Sequence, residues 1–407
     1  MQLLRKTTLL LAMTMAFLAV GWLAFDFKSH PRLLTGPMLQ KLAPNEFTLL
    51  WQMHPQEPAV VDVCDTRGNR VGEFPATLDN DRYIANLNGL RPGTTYQYEI
   101  RATTSGELWP PAASATLTTN PKRGGSFRFI AFGDSGDGRS FQRRLARQMP
   151  QYRPDLLIHT GDLIYDRGET KDYPTKFYLP YRQILGSAAF YPVLGNHDNR
   201  TADGQPLFDQ FILPENGPTA EPPERHYWFD FGHARFVAFD SNLDEPQLQE
   251  TVAPWLNKVL ASAGDRWKIV FFHEPPYTNG RYEPAAKIRS TIVPILDQHN
   301  VELVLCGHDH MYQRTHPIRA GTPTPDGQGT VYVITAAGGA RLYPFRSPPP
   351  DYIAAWNNDQ HSFTLADVTP TMILLRQIDI TSRRIDTTCI TRQTSSTPTT
   401  QTAITGP

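Results

Sequence analysis

The stretch VELVLCGHDHMYQR, Val301 to Arg314, decides how the chain is read. Its first half is a run of apolar, largely β-branched residues, which has the composition of a buried strand. Gly307 ends the run, and His308 and His310 then stand either side of Asp309. Two imidazoles at the exit of a buried strand form a chemistry-bearing cluster, because ligands of α/β sheets gather beyond the carboxyl ends of the strands.

The same grammar recurs upstream. AFGDSGDG presents Asp134, HTGDLIYD presents Asp162 and Tyr165, VLGNHDN presents Asn196 and His197, and FFHEPPY presents His273. Strand-like runs at 127–132, 155–159, 268–272 and 301–305 alternate with helical patterns. One of these sets Ile288, Ile292, Ile295 and Leu296 on a single face. Alternating strands and helices predict a layered α/β domain. Five strand exits then converge on one crevice, with glycines allowing the tight turns. Carboxylate and phenolate oxygens with imidazole nitrogens suit borderline first-row metals better than thiophilic or calcium sites.

The amino-terminal third reads differently. EFTLLWQM (46–53), AVVDVCD (59–65), RYIANL (82–87) and TYQYEIRA (95–102) are short β-branched and aromatic runs separated by turn residues. They predict an all-β sandwich. GLRPGTTYQYEI sets Leu90, Pro92 and Tyr96 in the pattern of a tyrosine corner, with Trp51 as a core tryptophan, so this part resembles a fibronectin type III domain. TTNPKRGGS (118–126) reads as a polar linker, and RQTSSTPTTQTAITGP (392–407) as a low-complexity, disordered tail.

At the amino terminus, Arg5 and Lys6 precede a stretch without charge from Thr7 to Phe25. Residues 1–26 therefore read as a signal peptide, with Ala19 and Gly21 as a small-x-small cleavage site, or as a membrane anchor of near the ~20 residues a bilayer needs. Either places the rest of the chain outside the cytoplasm. The 407 residues carry a formal net charge of −1, which argues against a broad electrostatic grip on nucleic acid. Three cysteines imply no disulfide framework; Cys306 packs as a small hydrophobe, and a Cys64–Cys389 pair stays open.

The ordered blocks GDSG, GDLIY, GNHD, FFH and GHDH strongly resemble those of the calcineurin-like metallophosphoesterases, and within them the purple acid phosphatases. The resemblance covers about Phe127 to Arg314. With the preceding sandwich it implies two domains, a fibronectin III-like sandwich over 33–119 and a four-layer αββα metallophosphoesterase sandwich over 125–391. It further implies Fe(III) held by Asp134, Asp162, Tyr165 and His310. The resemblance likewise implies a second, divalent ion (Fe, Zn or Mn) held by Asp162, Asn196, His273 and His308, with Asp162 bridging. The implied reaction is acid-phosphatase-like hydrolysis of phosphate monoesters, hydroxide attacking phosphorus in line while His197 assists the leaving group. A phosphodiesterase or nucleotide hydrolase on the same centre is the alternative, and a surface binding protein with an inert esterase domain the remote one.

Where the family carries further histidines near its third and fourth blocks, this chain has Tyr277, Asn279, Arg281, Tyr282 and Arg200. Arg281, Arg200 and Tyr277 are thereby candidate phosphate contacts beside His197. His159, His226, His233 and His361 are assigned to packing or to supporting ligands, His159 foremost for the latter.

Overall fold

A computed structural model describes residues 31–41, 43–107 and 114–392. The amino-terminal segment read as a signal or anchor, and the tail from residue 393, lie outside the described residues. Among the described residues no helix is long and apolar enough to cross a membrane.

The amino-terminal part is a sandwich of two antiparallel sheets. One runs in the order Arg32–Gln40, Glu46–His54, Arg82–Asn88, Thr77–Asp79; the other in the order Arg70–Pro75, Ala59–Asp65, Thr95–Ala102, Gly106–Glu107, with Ser114–Thr118 also on Thr95–Ala102. Alternation sets the faces: along Thr95–Ala102, Tyr96, Tyr98, Ile100 and Ala102 are buried while their neighbours face outward. Trp51 pairs directly with Tyr83 across the ladder, and their rings stack at 5.4 Å, a contact worth about 0.5–1.5 kcal/mol beyond its burial. Arg91 N–H donates to the Tyr96 hydroxyl at 2.9 Å, the backbone bond a tyrosine corner makes.

The second part is built on two mixed sheets packed face to face. The first has the order Ala189–Pro192, Leu156–His159, Phe127–Phe132, Ser362–Val368, Met372–Asp379, Arg384–Thr391. The second has the order Tyr227–Phe231, Ala234–Ala238, Trp267–Phe271, Leu303–Cys306, Val331–Thr335, Tyr312–Thr315, Ile353–Asn357. The strands that carry the motifs run parallel to one another within each sheet, so their carboxyl ends share one edge of the molecule. Period two sorts the second sheet's side chains: Phe236, Ile269 and Leu303 enter the core between the sheets, while Val237, Val270 and Val304 meet the helices outside. Phe129 against Phe236, at 5.5 Å and near-perpendicular, is one of the contacts that join the sheets.

Outside the second sheet lie the helices Ala253–Ala261, Ala286–Thr291 and Val293–Gln298; helix Ser140–Gln148 lies between Phe132 and Asp155 in the chain and buries Leu145 and Ala146. The helix anticipated from Ile288 to Leu296 forms as two pieces, since Pro294 follows the break at Ile292 and has no N–H to continue the ladder. Ile288, Ile292 and Leu296 are fully buried, whereas Ile295 is half-buried.

The two parts are joined by buried polar bonds. Gln40 donates to Phe190 O at 2.8 Å and accepts from Ile212 N–H at 3.1 Å; Leu39 N–H donates to Leu185 O, and the Tyr98 hydroxyl to Gly186 O. Asn120, within the segment read as a polar linker, is buried and bonds Asp230 O and Gly232 N–H. All three cysteines are free thiols, so Cys64 and Cys389 do not pair; Cys306 packs in the helix-side core. Arg392, read as the start of the tail, is held by Glu302 at 2.6 Å and lies over the Trp267 ring.

Candidate metal centre

Each motif glycine sits where a strand turns into its ligand loop, and neighbouring loops press on it. A Cβ on Gly195 would lie 2.1 Å from both the amide nitrogen and a carboxylate oxygen of Asp162. Gly161 takes φ +95°, and a Cβ there would meet His273 Nδ1 at 2.6 Å. The residues following three of these glycines, Asp134, Asp162 and His308, are themselves left-handed, with φ of 56°, 55° and 69°. Such backbones cost about 1–3 kcal/mol each and cluster where a side chain must be aimed.

The seven ligand-type side chains come together in two groups. In the first, the Tyr165 hydroxyl lies 3.2 Å from Asp134 Oδ1 and 2.9 Å from His310 Nε2. Ligand atoms of Asp134, Asp162 and His310 all fall within 4.8 Å of one another. In the second, Asn196 Oδ1 is 3.1 Å from His273 Nε2 and 3.0 Å from His308 Nδ1, and Asp162 Oδ1 is 3.6 Å from His273 Nε2. Asp162 is the member that reaches both groups.

The donor chemistry fits cations. His273 Nδ1 donates to Thr160 O and His310 Nδ1 to Arg341 O, both at 2.8 Å, which directs each Nε2 lone pair into the site. Burial and the neighbouring His273 push His308 down to about 3, so it stands neutral with a lone pair to give. Lone pairs facing carboxylate and amide oxygens at 3.1–3.6 Å are what a shared cation joins. Burial, with the charges of Asp162 and Asp134, drives the Tyr165 phenol well above its usual range. Only a strongly charged ion displaces such a proton.

Around these atoms is a supporting shell that the motifs alone did not reveal. The Asp198 carboxylate accepts from Leu163, Ile164 and Gly195 N–H groups, each at 3.0 Å, and so ties the Asp162 loop to the Asn196 loop. Burial and the nearby Asp162 charge push it up to about 7. Asp309, between the paired histidines, accepts from the Thr278 hydroxyl at 2.6 Å and from Arg281 N–H, clamping the loop after His273. His159 acts through Ser135, its Nε2 2.9 Å from that hydroxyl, and burial lowers it to about 3.

At the rim, His197 Nδ1 lies 2.7 Å from Asp166 O, and its ring packs on Tyr165 at 4.4 Å. Arg200 bonds Asp166 and comes within 3.5 Å of His197 Nε2. Tyr282 stacks on His308 at 4.3 Å and Tyr343 on His310 at 4.1 Å, with the Arg281 guanidinium 4.8 Å from the Tyr343 ring. Tyr277 is a correction. It is 3% exposed, wedged between Tyr332 and Tyr352 with Arg289 over its ring, and does not face the site. Its neighbours Asn279 and Gly280 turn the chain, and Tyr282 takes the rim position instead. Tyr343 was missed because it comes from a loop with no motif of its own.

Residues 127–312 match the calcineurin-like phosphoesterase family model. An uncharacterised protein of Mycobacterium tuberculosis is 26% identical over 383 residues; the match covers 79% of this chain and 66% of that protein, just under two thirds of its length. Purple acid phosphatase 4 of Arabidopsis thaliana is 26% identical over 258 residues, covering 57% of this chain and 74% of the relative. Among solved structures, a purple acid phosphatase from yellow lupin (Lupinus luteus) seeds superposes with a TM-score of 0.72 at 21% identity, covering 89% of this chain and 74% of its own. The chain therefore carries a calcineurin-like metallophosphoesterase domain, with purple acid phosphatases among its homologues.

Proposed function

We propose that the chain is an exported, binuclear-metal hydrolase of phosphate monoesters, with Asp134, Asp162, Tyr165 and His310 holding Fe(III). Asp162, Asn196, His273 and His308 hold a divalent Fe, Zn or Mn. The observation that carries this reading is the meeting of His273 and His308 on Asn196, beside the Asp134–Tyr165–His310 group, with Asp162 common to both. Two ions so held supply Lewis acidity toward phosphoryl oxygens and a nucleophilic hydroxide near neutral pH.

The chain's own residues do the rest. His197, held at Nδ1 by Asp166 O at the rim, is the residue placed to assist the departing oxygen. Arg281 and Arg200 place positive charge at the rim, where a monoester keeps two negative charges and a diester only one. That excess favours the monoester. The sandwich over 33–119, with its tyrosine-corner bond at Tyr96, is of fibronectin III kind on this reading.

Turnover of a chromogenic phosphate monoester beside its diester, across pH, tests the assignment, with Asp162→Ala as the blank. Monoester turnover well above diester and lost in the blank is expected. Preference for the diester would move the chain to a phosphodiesterase on the same centre.

A further inference from the structure

The loop from Ala337 to Tyr343 has two sides. On one it serves the metal centre: Ala340 N–H donates to Asp134 O at 2.9 Å, Tyr343 N–H to His310 O at 3.0 Å, and Arg341 O receives the His310 Nδ1 proton. On the other it walls a separate cavity of about 510 Å³. Helix Ser140–Gln148 supplies Phe141 and Arg144 to that cavity, the turn before it supplies Arg139, and the loop supplies Arg341; Asp359 and His361 close the far side.

The lining has the chemistry of a ligand site. Three guanidiniums face one carboxylate, Asp359. Arg139 leans on Asp137 at 3.4 Å, while the side chains of Arg144 and Arg341 have no partner among the described residues. Phe141 is 41% exposed, large for a phenylalanine, with one face stacked on His361 at 4.4 Å and the other open. His361 is 93% buried, the remaining 7% being its exposure to the cavity. Its Nδ1 donates to Ala337 O at 3.2 Å, so Nε2 is an acceptor that no described residue satisfies. Burial lowers His361 to about 4, so it stays neutral and needs a donor. Arg139, Arg144 and Arg341 are exposed and hydrated, and so free to converge on an anion at the mouth of the cavity. Packing explains the buried histidine but not the open face of the Phe141 ring stacked on it.

We propose that this cavity is a second binding site, separate from the metal centre, for a phosphate-bearing molecule with a planar ring, a nucleoside monophosphate in chemical class. Arg144, Arg139 and Arg341 hold the phosphate by charge-assisted hydrogen bonds. The ring lies on the open face of Phe141, and a hydroxyl or amino hydrogen meets His361 Nε2. The occupant rests against the loop that carries the carbonyl holding His310, which places it to brace that metal ligand.

The probe is the phosphonate analogue of adenosine 5′-monophosphate, in which carbon replaces the ester oxygen so that nothing is cleaved. Calorimetric titration into the full, metal-loaded chain is compared with titration into Arg144→Glu and Phe141→Ala. Binding that weakens ~10-fold or more in each variant, with monoester hydrolysis at the wild-type rate, is expected from the loss of one charged or one stacking contact. Inorganic phosphate and adenosine, titrated separately, each bind ~10-fold or more weakly than the whole molecule, since each keeps only part of the contacts. Affinity unchanged in both variants would place the analogue at the metal centre alone and overturn the proposal. So would phosphate binding as tightly as the analogue in the part of its binding that Arg144→Glu abolishes, or an analogue that does not bind at all. None of these outcomes depends on whether the metal centre prefers monoesters.

Discussion

His273 Nε2 and His308 Nδ1 lie 3.3 Å apart, and both lie close to Asn196 Oδ1, at 3.1 and 3.0 Å. Two imidazole nitrogens on one amide oxygen define a single coordination point fed by three strand exits. His273→Ala removes one of these nitrogens and leaves the Asp134–Tyr165–His310 group intact. The expected outcome is one metal equivalent lost and one retained by elemental analysis, with hydrolysis down ~100-fold or more, since second ions clamp the phosphoryl group. Loss of both ions together would show that the two groups are not separable.

Tyr165→Phe deletes only the hydroxyl that bridges Asp134 and His310. A phenolate on ferric iron absorbs visible light, so if this group holds Fe(III) as proposed, the variant is expected to fold, to lack the visible band and to retain less iron. A full-strength band in the variant would assign the colour, and the ferric site, elsewhere.

Asp198 carries no metal in this account, yet its carboxylate satisfies three buried N–H groups. Asp198→Asn turns an amide NH₂ toward one of them. An unsatisfied buried donor costs about 1–3 kcal/mol. Thermal unfolding is expected to fall by that amount, together with metal affinity, because the loops of Asp162 and Asn196 separate. Unchanged melting and unchanged metal retention would contradict the role.

Gln40 ties the sandwich to the catalytic part through Phe190 O and Ile212 N–H, with no exposed surface. Gln40→Ala strands both partners at a cost of about 1–3 kcal/mol. The expected result is a lower unfolding midpoint and, in calorimetry, two transitions where the wild-type chain shows one.

The residues that the structure brings together at the strand exits were legible because each is specified locally. A strand that exits through glycine into a carboxylate, amide or imidazole needs that glycine for close approach, as Gly195 against Asp162 shows. The alternating runs of the sandwich were legible for a similar reason, since period two is written in adjacent residues. What escaped reading depends on distant partners. Ser362–Val368 pairs antiparallel with Phe127–Phe132, and nothing within either strand names the other. Tyr277 and Tyr282 stand five positions apart after the same histidine, but only the turn held by Asp309 decides that one enters the core and the other stacks on His308. The motifs assign no role to Asp198 or Asp309, whose bonds to neighbouring loops exist only in the folded chain.

Metal content of the purified chain, measured by mass spectrometry beside Asp162→Ala, tests the central claim most directly. Two equivalents per wild-type chain, one of them iron, with a marked loss in the variant that lacks the bridging carboxylate, are the predicted result. A single equivalent in the wild type, or two equivalents undisturbed by Asp162→Ala, would contradict a binuclear centre at these residues.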